Sequence, residues 1–174
     1  MASIIGVETL QHTNGTTAMT IDSSGRIITP ARPAFSTRVD VDQSFTTAST
    51  WHTVDFNTGS TSYPWMTYAK GGATVTNGVF TVSLAGLYSF SARLRVDSVG
   101  SGYLWSILSV NNSTAPNVLI NDLDGIPASN YTTMKLDGVY DLSVGDTVSV
   151  KLFSSSDTSF EVENYSSFQG YFLG

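Results

Sequence analysis

Residues 77–96 read NGVFTVSLAGLYSFSARLRV, and this stretch decides the fold class. Within 78–84, Phe80, Val82 and Leu84 share one face, while Val79, Thr81 and Ser83 share the other. Within 87–96, Tyr88, Phe90, Ala92, Leu94 and Val96 point one way, and Ser89, Ser91, Arg93 and Arg95 the other. A period of two belongs to a strand with one wet face. On a helix Arg93 and Arg95 would stand about 200° apart, and no clean apolar stripe would form. Gly86 supplies the backbone freedom of a connecting turn, so strand, tight turn, strand is expected. Nothing in the stretch is equipped for catalysis; it is scaffold.

The same alternation recurs on both sides. FSTRVDV (35–41) follows Pro33, and TVDFN (53–57) ends before a Gly-Ser-Thr loop. YLWSILSVN (103–111) is more apolar and reads as a central strand. YTTMKLDGVYDL (131–142), DTVSVKLF (146–153) and SSFQGYFLG (166–174) complete the set. No window carries an apolar stripe at helical period. Many short strands separated by Gly, Ser and Asn turns predict an all-β sandwich or barrel. The first 30 residues differ. Asn14-Gly15 and Ser24-Gly25 are turn signals, and 18–22 with 26–28 predict a small hairpin. A hairpin of that size does not hold itself together, so sister subunits or a larger assembly are expected to hold this arm. Pro30 and Pro33 form a stiff hinge, dividing the chain into an arm, 1–32, and a domain, 33–174.

Composition bounds the function. The chain has 174 residues, enough for one domain with a real core. Only 13% of residues are charged, about half the usual share, so Ser and Thr carry the surface. The net charge of −6 repels a phosphate backbone, which argues against nucleic-acid binding. Cysteine is absent, so stability must come from a large core or from oligomerisation. MASIIGVETL has neither the basic start nor the apolar run of a signal peptide, and no segment is apolar enough to span or insert into a membrane. Synthesis in a cytoplasm is the expectation.

Five segments in order resemble the C1q/TNF-like family. They are Pro33-Ala34-Phe35, Val54-Asp55-Phe56-Asn57, Gly78-Val79-Phe80 continuing to Gly86-Leu87-Tyr88-Ser89-Phe90, Leu142-Ser143-Val144-Gly145-Asp146-Thr147-Val148, and Phe168-Gln169-Gly170-Tyr171-Phe172-Leu173. Gly145-Asp146 reads as a turn between strands, and Gly170 as a bare position on which a ring or backbone packs. The resemblance covers 33–174 and implies a ten-stranded jelly-roll β-sandwich that assembles as a homotrimer, preceded here by a short extended or hairpin arm. It implies Phe35, Tyr131, Tyr140 and Tyr171 as trimer-interface candidates. The leader GTTAMTIDSSGRI running into PARPAF resembles the leader of bacteriophage virion proteins that end in C1q-like domains. That makes Ile4, Ile5, Met19 and Ile21 candidates for attachment to other virion proteins.

Candidate chemistry is sparse. His12 and His52 lack further ligands at short spacing, and surface or packing roles are expected for both. Asp122 and Asp124 in NDLDG lack the rest of a calcium loop, and a solvated turn is the expectation. Asp55, Asp137, Asp141 and Asp146 are the candidates for a carboxylate pair, and turn aspartates with ordinary acidity are expected instead. No nucleophile motif or phosphate loop is present. Asn112-Ser113-Thr114, Asn130-Tyr131-Thr132 and Asn164-Tyr165-Ser166 match the glycosylation pattern in a chain rich in these residues. The loop SYPWMTYAKGG (62–72) carries Tyr63, Trp65 and Tyr68, aromatics suited to stack on a host surface glycan or to anchor a protein interface, with cover over the sandwich end or the trimer seam as the plainer expectation. The expectation is a non-catalytic virion structural protein, fibre or capsid decoration, without a metal or other cofactor. A secreted C1q-like recognition protein is the alternative, and a glycan-active enzyme a remoter one.

Overall fold

The computed structural model describes residues 6–57, 67–98, 102–114, 120–124, 130–155 and 159–174. Among them are sixteen strands and no helix. The arm holds β1 (Thr9–Gln11), β2 (Thr17–Ile21) and β3 (Ile27–Ile28). The domain holds β4 (Ala34–Arg38), β5 (Gln43–Phe45), β6 (Trp51–Thr53), β7 (Tyr68–Lys70), β8 (Thr74–Thr76), β9 (Val79–Thr81) and β10 (Gly86–Ser98). It continues with β11 (Tyr103–Val110), β12 (Ile120–Asp124), β13 (Asn130–Leu142), β14 (Thr147–Ser154), β15 (Phe160–Val162) and β16 (Ser167–Phe172). The ten strands implied by the resemblance become thirteen, because several are broken into three-residue pieces.

The domain strands form two antiparallel sheets. One runs β5-β15-β10-β16-β4-β7, with β13 along the free edge of β10. The other runs β12-β11-β14-β9-β8, with β6 also on β14. β11 lies between β12 and β14, as expected of a central strand. The face read from β10 is correct: Tyr88, Phe90, Ala92, Leu94 and Val96 are all buried. β14 buries Val148, Val150 and Leu152 as read, and also Ser149 and Lys151 on its other face.

The hairpin expected at Gly86 does not form. β9 pairs with β8 and β14, while β10 pairs with β13, β15 and β16, so the chain crosses from one sheet to the other. The reason is the two apolar faces themselves. Placed in opposed sheets they cover one another, with the Phe80 ring 5.6 Å from Tyr88 and 5.7 Å from Phe90. Gly86 serves a close approach instead. Its φ is 137°, and a Cβ there would meet the Gly174 carbonyl oxygen at 2.6 Å. That same carbonyl accepts the Leu87 N–H. The expected strand at 53–57 lies earlier, at Trp51–Thr53; beyond it Val54 and Phe56 enter the core and Asn57 bridges to Arg38.

Gly170 is the bare position the sequence suggested. A Cβ on it would meet Phe35 at 2.5 Å and Phe90 at 2.8 Å. Phe35 in turn stacks on Phe80 at 4.8 Å and meets Phe168 edge-on at 5.0 Å, so the core is a knot of rings between the sheets. The turn at Asp146 is as read. Its carboxylate accepts from the Ser143 N–H and the Asn111 amide, and Asn111 accepts from the Thr147 N–H.

The arm is a three-stranded meander, β1-β2-β3, one strand more than the expected hairpin. It pairs with neither large sheet. Leu10, Ile21, Ile27 and Ile28 are exposed on it, and Met19 is half-buried. Ile4 and Ile5 lie outside the described residues. At the junction Arg32 donates to the Leu173 carbonyl at 3.1 Å.

Candidate functional site

The outward face of the seven-stranded sheet is where exposed apolar and charged side chains gather. Alternation on β10 turns Leu87, Ser89, Ser91, Arg93 and Arg95 outward once Tyr88 and its partners are inside. Register then places Tyr171 and Val139 beside Ser89, and Lys135 beside Arg93. Val139 is 59% exposed, Tyr131 57% and Tyr171 41%. Leu87 and Leu173, joined through their backbones, are exposed at one end of this face, and Tyr165 at the other.

The four interface candidates divide. Tyr131 and Tyr171 stand on this outward face. Phe35 does not: it is 1% exposed, and its ring is committed to the core of its own chain. Tyr140 also turns inward, because it pairs with buried Tyr88, and its ring packs 6.1 Å from Phe90. Both are corrected by the same fact, that the inner face of the sheet covers the second sheet.

Of the aromatic loop, Tyr63 and Trp65 lie outside the described residues. Tyr68 is not at a loop tip. It opens β7, pairs with Ser36, and shares the outward face with Tyr171. Tyr171 donates to Gln169 at 2.9 Å. Burial first, then the neighbouring Tyr171 phenol, pushes the Tyr68 hydroxyl up to about 12. Sequence reasoning missed Leu87, Val139 and the basic cluster of Arg38, Arg93, Arg95 and Lys135. Arg93 and Arg95 were visible as a wet face, but only register shows what stands beside them.

The remaining candidates form no reactive centre. Asp137 and Asp141 lie four residues apart along β13, about 13 Å at strand rise, while the Asp146 carboxylate is bonded into its own turn and Asp55 meets Gln43 through its backbone. The Asn111 amide, then the Ser143 N–H, holds the Asp146 carboxyl below the ordinary value, the opposite of what an acid catalyst needs. Asp122 and Asp124 are not in a turn; they lie on β12, opposite Trp105 and Tyr103. Among the described residues no group of three His, Cys, Asp or Glu is arranged for a metal. His52 packs against Phe45 and Phe160 and donates to the Thr47 carbonyl at 2.8 Å, and His12 accepts the Asn14 N–H in a turn. No helix among the described residues is long and apolar enough to cross a membrane.

This topology, two antiparallel sheets with crossing connections around an aromatic core, has counterparts among solved structures. The globular domain of zebrafish complement 1qA superposes with a TM-score of 0.58 at 19% identity, over 82% of this chain and 98% of that one. The fold is a C1q/TNF-like jelly roll. Murine APRIL at pH 5.0 gives 0.56 and at pH 8.0 gives 0.54, each at 14% identity over 82% of this chain and 99% of that one. No protein-family model and no curated protein sequence matches the chain.

Proposed function

We propose that this chain is a non-catalytic assembly protein, a homotrimer closed through the outward face of its seven-stranded sheet and tethered by its arm to a larger particle. The observation that carries the reading is the exposure of Leu87, Tyr131, Val139, Tyr165, Tyr171 and Leu173 on one sheet face. Exposed apolar side chains gathered at the two ends of one sheet face mark an interface, and a chain without disulfides gains stability by burying them. Asp137 and Asp141 stand about 13 Å apart along one strand and Asp146 is held below the ordinary carboxyl value, which supports the absence of turnover by these candidates.

The particle is a bacteriophage virion in this reading, which rests on the resemblance of residues 15–35 to virion leaders. The exposed isoleucines of the arm are then its contacts with other virion proteins, and the virion is the final location. The arm supports tethering because its sheet has no core of its own. The likeness to complement 1qA favours a second reading, a C1q-like recognition protein, in which the trimer contacts a surface glycan or protein through its loops.

Val139→Asp tests the assembly claim. Val139 is exposed in the single chain, so the substitution leaves the fold intact. Three added carboxylates at a closed face should convert trimers to folded monomers in sedimentation. A trimer as tight as wild type would remove this face as the interface.

A further inference from the structure

We propose that Arg38, Arg93, Arg95 and Lys135 form a site for a free oxyanion group, a carboxylate, sulfate or phosphate, on the outward face of the seven-stranded sheet. The chain carries only eight Lys and Arg against a net charge of −6, and half of them meet here. Register puts Arg38, Ser167, Arg93 and Lys135 in one row across β4, β16, β10 and β13, with Arg95 and Thr133 paired in the next. Arg93 and Lys135 are direct cross-strand partners, with Cα atoms about 5 Å apart, and like charges so placed repel. An oxyanion between them accepts charge-assisted hydrogen bonds from both side chains.

A cavity of about 330 Å3 opens at this point, lined by Arg38, Arg93, Arg95, Thr133, Tyr165 and Ser167, and Lys135 is the cross-strand partner of Arg93. The cavity has room for an oxyanion and a small carbon skeleton. Two of the guanidinium groups are already fixed. Arg95 lies 4.0 Å from the Tyr131 ring centroid and 5.0 Å from that of Tyr165, and its Nε binds Glu163 at 3.0 Å. Arg38 donates to the Asn164 carbonyl at 2.6 Å. Held forks of this kind match the oxygens of a carboxylate or phosphate, and three hydroxyls supply further donors. Arg93 is exposed and has no polar partner among the described residues. Glu163 is committed to Arg95, and Asp97 and Asp137 do not line the cavity. All four cations come from one chain, so the site is complete within a monomer.

The test titrates the full chain in chloride buffer with sodium sulfate at constant ionic strength and follows thermal unfolding, with succinate as a second probe. The expected result is a saturating rise in Tm for both anions. Half-saturation should move about tenfold higher in Arg93→Gln and in Lys135→Gln, the loss of one charged hydrogen bond. It should be unchanged in Arg26→Gln, whose cation lies in the arm. A rise that does not saturate, or is the same in Arg93→Gln, is general salting and overturns the site. Light scattering of the same samples separates the other source of oxyanions. Wild type insensitive to sulfate, with Arg93→Gln unable to self-associate, would mean that carboxylates of a neighbouring copy fill the cavity, and would overturn a free-anion site.

Discussion

Replacing Gly170 by alanine should destabilise the protein, although glycine in a strand is ordinarily a weakness. The added Cβ would stand 2.5 Å from Phe35 Cε1 and 2.8 Å from Phe90, closer than packed carbons tolerate. Neither ring has room to retreat, since Phe35 is stacked on Phe80 and Phe90 lies 5.7 Å from Phe80 and 6.0 Å from Phe168. Forcing a methyl into a filled core costs about 1–3 kcal/mol. The reduced entropy of the unfolded chain returns about 0.4–1 kcal/mol. The net loss is about 1–2 kcal/mol, which for a chain of this length lowers Tm by about 2–8 °C. Differential scanning calorimetry at one fixed protein concentration is the assay, because self-association makes Tm depend on concentration. Gly6→Ala is the control, for nothing lies within 4 Å of its would-be Cβ. A Gly170→Ala protein as stable as wild type, or more so, would refute the picture of rings closed down on a bare strand position.

Two further outcomes follow from the same structure. Tyr68 should ionise near pH 12, above its ordinary value of 10.0, as followed by tyrosinate absorbance with Tyr68→Phe as reference. Its raised value means a contribution to stability that is intact below pH 10 and lost as pH rises towards 12; titration of every tyrosine in one step near 10 would contradict the burial of the Tyr68 hydroxyl beside Tyr171. Deleting residues 1–32 should leave one cooperative unfolding transition, because the arm pairs with neither large sheet, and should abolish incorporation into particles. Normal copy number on particles without the arm would show that the anchor lies elsewhere.

Faces were legible in the sequence where strands are long enough to show a period. β10 buries one alternating set, β14 buries Val148, Val150 and Leu152 and part of its other face too, and Phe80 and Val82 show theirs over only seven residues while Leu84 stays exposed. Partners were not legible, because a period of two says which side is apolar and not which strand lies alongside. That is why Phe80 and Tyr88, neighbours in sequence, were read as one hairpin and are instead opposed across the core. Phe35 and Tyr140 are interface candidates through the resemblance, which points to strands and not to faces, and their own side chains turn into the core. Three-residue strands such as β1 and β6 have too few positions for alternation to register at all. The basic cluster depends wholly on register. Lys135 stands forty positions from Arg95 in the chain, and only thirteen consecutive pairs between β10 and β13 bring them to one patch.

The most direct measurement is the molar mass of the purified full chain by light scattering across a micromolar concentration series. A mass three times the 18.6 kDa of one chain, held through dilution, is the expected result. A single-chain mass at micromolar concentration would leave Leu87, Val139 and Tyr171 open to solvent and would contradict closure of the outward face between copies.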